Sequence, residues 1–221
     1  MIRAVIFDMD GTLIDTEKHY MQYWMNILQD QGYKLPYSQA LKLRGLGKSR
    51  VKDMFRSLYG IEFDYDRASA RIKALLEEEI NRNGLEKKAG ADELLAYLRK
   101  AGYKTAVATS TAYERACYLL DQVGLREQFD SIISADKVKN GKPSPDIYLY
   151  ACDQLKESPF DCIAVEDAPN GVLSGARAGC RVVMVPDLSE PDEELSGMLF
   201  ARADSLEKII HILESGEGAH G

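Results

Sequence analysis

Histidine is scarce in this chain: three residues in 221, at His19, His211 and His220, far apart in sequence. That spacing gives little support to a zinc site or a histidine-based nucleophilic triad, so any nucleophile must come from another residue type. Cysteine is also sparse, and Cys117, Cys152, Cys162 and Cys180 show no CxxC or Cys/His spacing. Each lies in or beside a stretch that reads as helix or strand, so free buried thiols are expected. No apolar run approaches the ~20 residues needed to span a bilayer. Met1-Ile2-Arg3 leads straight into the first strand, which leaves no room for a signal peptide, and a soluble, cytoplasmic protein is expected. Basic residues are outnumbered, 28 Lys+Arg against 35 Asp+Glu for a net charge of −7, with no dense Lys/Arg tract. Such a surface lacks the footprint of a nucleic-acid or membrane binder, and the expected partner is a small molecule.

The chain is long enough to bury a substantial core as one large domain or two small ones. The first apolar run, Ala4-Val5-Ile6-Phe7, reads as a buried strand. From about Glu17 to Glu86 the pattern becomes helical, with apolar stripes at Tyr20, Trp24, Ile27 and Leu28, at Val51, Met54, Phe55 and Leu58, and at Ile72, Leu75, Leu76 and Ile80. Breakers at Gly32, Pro36, Gly45, Gly47 and Gly60 divide these helices. From Ala91 onward, helical segments alternate with short apolar strands at 105–108, 131–134, 163–166 and 182–185, and a last helix is expected over 204–213, before a frayed tail at 215–221. Alternation of this kind predicts an α/β fold with a doubly wound parallel sheet. The helical insertion predicts a separate cap at 17–86, leaving 1–16 and 87–221 as the sheet-bearing core.

In open parallel sheets ligands bind beyond the carboxyl ends of the strands, and reactive residues gather at those positions here. Asp8 and Asp10 follow the first strand and share one side while the chain stays extended. Two carboxylates aimed into one crevice repel unless a cation or a shared proton relieves them, so this pair asks for a metal, a nucleophile and acid, or both. Thr109 and Ser110 end the second strand, where hydroxyls commonly cap a following helix and where a helix N-terminus also favours anions. Lys142 sits in Gly141-Lys142-Pro143-Ser144-Pro145, and its ordinary fate would be a surface lysine. Glu166 and Asp167 abut at the end of an apolar run, an arrangement that is costly without a cation. Mg²⁺ is the natural partner, because it prefers hard oxygen ligands beside substrate phosphate.

Taken in order, Asp8-Met9-Asp10-Gly11-Thr12, the hydroxyl, the lysine, and the acidic pair followed by Pro169-Asn170-Gly171 resemble the haloacid dehalogenase superfamily. The resemblance is to its phosphatase and phosphomutase branch, with a helical cap after the first motif, and it runs from Ile2 to Val185. It implies a Rossmann-like core in which Asp8 forms an aspartyl-phosphate and Asp10 serves as acid and then base. It further implies that Thr109 donates to the phosphoryl oxygens, with Ser110 beside it in substrate binding, and that Lys142 neutralises nucleophile and phosphoryl group. Mg²⁺ would be held by Asp8, Asp167 and the Asp10 backbone carbonyl, with Glu166 acting through water or directly. The cap loop Arg44-Gly45-Leu46-Gly47-Lys48 would close over the crevice with Arg44 and Lys48 as substrate contacts, on hinges near 13–16 and 85–90.

Within this branch, a dehalogenase would need neither Asp10 nor the acidic pair. A mutase resembling β-phosphoglucomutase would carry a histidine in the first cap helix, and Tyr20 holds the matching position, with His19 one residue off. The expected function is therefore Mg²⁺-dependent hydrolysis of a small phosphorylated metabolite, foremost a sugar phosphate. The mutase is the alternative. Neither the particular metabolite nor the oligomeric state is encoded in these motifs.

Overall fold

The computed structural model describes residues 1–215; part of the expected tail, His220 included, lies outside them. Six parallel strands form one sheet in the order β3-β2-β1-β4-β5-β6. They are β1 (Ala4–Phe7), β2 (Lys104–Thr109), β3 (Ser131–Ser134), β4 (Cys162–Glu166), β5 (Arg181–Met184) and β6 (Ala201–Arg202). The central strands β1 and β4 are buried throughout, which is why they read as unbroken apolar runs and not as alternating ones. In register, Phe7 lies beside Val107 on one side and Val165 on the other. The residues that follow these strands are thereby brought to one edge of the sheet, at the point where the strand order reverses.

Helices cover both faces. Val5, Phe7 and Val165 pack with Leu94 and Leu98 of α5 (Ala91–Ala101) and Leu119 of α6 (Tyr113–Gln122), while Ile6 and Ala164 pack with Tyr148 of α7 (Asp146–Leu155) and Val172 of α8 (Pro169–Ala178). A short α9 (Glu193–Ser196) precedes β6, and α10 (Lys208–Ser215) closes the first layer through Ile209 and Ile212. Ser215 therefore ends a helix and is not part of a frayed tail.

The inserted segment forms α1 (Glu17–Asp30), α2 (Tyr37–Leu41), α3 (Lys48–Tyr59) and α4 (Tyr65–Asn83). Trp24 packs on Phe55 at 4.6 Å and on Tyr65 at 5.5 Å between ring centroids, and this aromatic nucleus gives the segment a core of its own. The separation is incomplete, since Leu76 and Ile80 of α4 pack with Leu13 and Ile14 in the main core. All four cysteines are free and buried. Among the described residues no helix is long and apolar enough to cross a membrane.

Candidate active site

The Asp8 amide donates to the Val165 carbonyl at 2.9 Å, which carries the sheet register one residue past β1 and sets Asp8 beside the end of β4. At Gly11 the chain turns with φ of +86°, and a Cβ there would overlap the Asp167 carboxylate. Only glycine permits both that backbone conformation and that approach.

Lys142 Nζ, fully buried, donates to Asp8 Oδ1 at 2.5 Å and to Glu166 Oε1 at 2.6 Å. The same Glu166 oxygen accepts from Tyr148 Oη at 2.5 Å. Burial alone would drive the Lys142 ammonium down, but Asp8 and Glu166 outweigh it and hold its pKa above the ordinary lysine value. A surface role for Lys142 is thereby removed. Thr12 Oγ1 donates to Asp167 Oδ1 at 3.3 Å, and a guanidinium nitrogen of Arg44 donates to Asp167 Oδ2. Burial raises the Asp167 carboxyl well above its usual range; Arg44 offsets part of this, and Asp8 adds to it.

Asp10 has different surroundings. Thr16 Oγ1 donates to its Oδ1 at 2.6 Å and Thr111 Oγ1 to its Oδ2 at 2.8 Å. Burial raises its carboxyl and nearby Asp8 raises it further, while the two hydroxyls pull it partway back. Thr109 does not cap α6, because the helix begins only at Tyr113 after Ala112 and has no side-chain cap. Its buried Oγ1 instead accepts from the Thr111 amide at 3.0 Å, and Ser110 Oγ donates across to the Gly45 carbonyl at 3.0 Å.

Between the inserted helices and the strand ends lies a cavity of about 380 Å³, whose walls include Asp8, Asp10, Tyr20, Trp24, Lys48 and Thr109. Lys48 is largely exposed on this wall and pairs with Asp66 at 3.1 Å. Arg44 is placed differently. It is 2% exposed and turned onto the acids, with Glu17 at 3.4 Å and Asp187 at 3.5 Å in addition to Asp167. Burial, with Asp10 adding, pushes the Tyr20 phenol up, so it remains a proton-bearing donor in the cavity wall.

Glu17, Thr111 and Asp187 belong to this site but were not singled out from sequence. The only local signal for Thr111 is the unbroken run of hydroxyls from 109 to 111. Asp187 sits beyond β5 among residues that read as ordinary loop, and Glu17 looks like a first-turn helix acid.

Carboxylate oxygens of Asp8, Glu166 and Asp167 lie within 4.8 Å of one another, and all three residues are buried. Glu166 Oε2 is buried with no hydrogen-bond partner among the described residues. Three hard oxygen donors, one of them unpaired, fit a divalent cation such as Mg²⁺. The Asp10 carboxylate, held by its two hydroxyls, lies outside this cluster.

Comparison with known proteins agrees with this architecture. Residues 5–185 match the haloacid dehalogenase-like hydrolase family. Hexitol phosphatase A of Escherichia coli is 34% identical over 199 residues, covering 86% of this chain and 88% of the relative. The phosphorylated carbohydrates phosphatase of Thermotoga maritima is 32% identical over 181 residues, covering 80% and 82%. The crystal structure of CbbY from Rhodobacter sphaeroides in complex with phosphate superimposes with a TM-score of 0.79 at 28% identity, covering 95% of this chain and 96% of the other. A sheet of this order, a helical insertion after β1 and these matches together place the chain in the haloacid dehalogenase-like hydrolase family, among its phosphatases with a helical cap.

Proposed function

We propose that the chain is a Mg²⁺-dependent phosphatase of a small phosphorylated metabolite, foremost a sugar phosphate, acting through an aspartyl-phosphate on Asp8. The observation that carries this reading is the unlike pairing of the two carboxylates. Asp8 meets the Lys142 ammonium at 2.5 Å, whereas Asp10 accepts from two hydroxyls and burial raises its carboxyl. One acid is thus set up to attack as a carboxylate and the other to deliver a proton, the division of labour that phosphoryl transfer through a covalent intermediate requires.

Asp8 attacks phosphorus as the bond to the leaving oxygen breaks, and Asp10 gives that oxygen its proton. Asp10 then takes a proton from the water that displaces Asp8, which releases inorganic phosphate and restores both side chains. Lys142 offsets the charge of Asp8 and of the phosphoryl oxygens throughout, and Thr109 with Ser110 lines the phosphoryl end of the cavity. A Mg²⁺ ion held by Asp8, Glu166, Asp167 and the Asp10 carbonyl would supply further neutralisation of phosphoryl charge. Residues 17–86 act as the cap that screens this chemistry from water, carried by 1–16 and 87–221. Support for sugars comes from the named activities of the relatives and from a cavity sized for a small metabolite.

The test is a panel of phosphorylated metabolites scored for free phosphate and isomerised product together. With Tyr20 in place of the mutase histidine, near-stoichiometric phosphate release is expected from an accepted sugar phosphate. Interconversion of β-glucose 1-phosphate and glucose 6-phosphate with little phosphate released would establish the mutase instead. Chelation should abolish turnover and added Mg²⁺ restore it. Ca²⁺, larger and content with more ligands, should bind and inhibit. Full activity in excess chelator would contradict the metal assignment.

Lys48→Ala should raise KM for the accepted metabolite by about tenfold while phosphoenzyme formation from acetyl phosphate is spared, because a remote cation contributes binding energy and not transfer chemistry. Unchanged kinetics on every accepted substrate would make Lys48 a surface lysine paired only with Asp66.

A further inference from the structure

Arg44 belongs to the inserted segment, yet most of its side-chain partners, Asp167, Asp187 and Ser189, lie in the core. Besides its contacts with Asp167, Glu17 and Asp187, it donates from Nη1 to Ser189 Oγ at 3.1 Å. The backbone around it is seated at the same place. Asn170 Nδ2 donates to the Arg44 carbonyl at 2.8 Å and to the Lys42 carbonyl at 3.2 Å, and Ser110 Oγ holds the Gly45 carbonyl. Two residues on, Gly47 packs so closely on Gly141 that a Cβ added to Gly141 would lie 3.1 Å from the Gly47 Cα. The 42–48 loop is thus fixed at several points to the segments that carry Lys142 and Asp167. One of those fixings is a guanidinium on a carboxylate suited to a divalent cation.

A guanidinium and a metal ion that share one carboxylate compete for it and repel at close range. Arg44 has somewhere to go, since Glu17 and Asp187 already stand within 3.5 Å of its nitrogens, so leaving Asp167 would not strand a buried charge. Asp187 is itself balanced by Lys88 at 2.7 Å, so this second position is a prepared ion-pair network.

We propose that Arg44 is a cap-borne positioning residue, the resident counter-ion of Asp167, so that seating of the 42–48 loop and divalent-metal binding at Asp8, Glu166 and Asp167 oppose each other. Metal entry moves the guanidinium toward Glu17 and Asp187 and loosens the loop; a seated loop weakens the metal. The inference rests on the metal assignment made above, and the coupling must be reciprocal because both events draw on the same carboxylate.

The test is Mn²⁺ binding, read from the electron paramagnetic resonance of free Mn²⁺, on wild type, Arg44→Gln, Asn170→Ala and Asp167→Asn, together with hydrogen exchange of residues 42–48 with and without Mg²⁺. Asn170→Ala unseats the loop without removing a charge, and it carries the test if Arg44→Gln fails to fold. Arg44→Gln and Asn170→Ala should each bind Mn²⁺ about fivefold or more tightly than wild type. Exchange of 42–48 in wild type should quicken with Mg²⁺. Equal or weaker Mn²⁺ binding in both variants overturns the proposal, as does exchange that slows or does not change. Tighter binding in Arg44→Gln alone, with exchange unmoved, is simple charge repulsion and overturns it too. Wild type that binds Mn²⁺ no better than Asp167→Asn contradicts the metal assignment itself, and the proposal falls with it.

Discussion

Asp8→Asn is expected to fold as the wild type does and to lose turnover by about ten-thousandfold or more, the scale seen when a catalytic nucleophile is removed. The amide preserves the shape of a side chain packed at the tip of β1 and can still accept from Lys142, but it has no carboxylate oxygen with which to attack phosphorus. Unfolding in urea should remain cooperative, and steady-state phosphate release on the best substrate should fall to background. The separation matters, because a fall in activity with a parallel loss of structure would say nothing about the nucleophile. Substantial turnover by a folded variant that mass spectrometry shows to be free of deamidation would remove the covalent mechanism.

Lys142→Ala should produce the largest loss of stability of any single change at the site. The ammonium is the only cation contacting Asp8 and Glu166 among the described residues, and all three groups are buried. Removing one member of such a cluster leaves uncompensated buried charge and costs about 3–5 kcal/mol. Urea unfolding in the presence of a chelator should show this loss. Added Mg²⁺ should recover part of it, since a cation that binds only the folded chain stabilises it by mass action. Turnover should not recover with the stability, because the metal does not replace the ammonium beside the nucleophile. A variant as stable as wild type in chelator would mean that the buried acids are relieved by some other route.

The strand ends were legible because the central strands are buried on both faces, so their apolar runs mark the sheet plainly and the residue after each run must lie at its carboxyl edge. That places Asp8, Thr109 and Glu166–Asp167 at the sheet edge from sequence alone. β6 is not legible in sequence, since two residues at a sheet edge leave no period to read. The stripe at Ile72, Leu76 and Ile80 announced an apolar face on α4 but not its neighbour, and Leu76 and Ile80 pack with the main core as well as belonging to the inserted helices. By residue type Thr109 and Ser110 read as helix caps, yet the helix starts later than they do and their hydroxyls serve other partners. In sequence, Arg44 reads as a cation for the substrate because it sits in a glycine-rich loop with Lys48. Its placement on Asp167 depends on acids supplied by α1, by the end of β4 and by the loop after β5, which no local pattern brings together.

The central claim, that Asp8 carries the phosphoryl group between substrate and water, is tested most directly by trapping it. Wild type mixed with an accepted sugar phosphate and Mg²⁺, then quenched in acid within milliseconds, should yield a hydroxylamine-sensitive phosphoryl adduct that peptide mass spectrometry maps to Asp8. It should form and decay fast enough to account for steady-state phosphate release. Phosphate release at the full rate with no adduct on Asp8, or with the adduct on another residue, would contradict the mechanism.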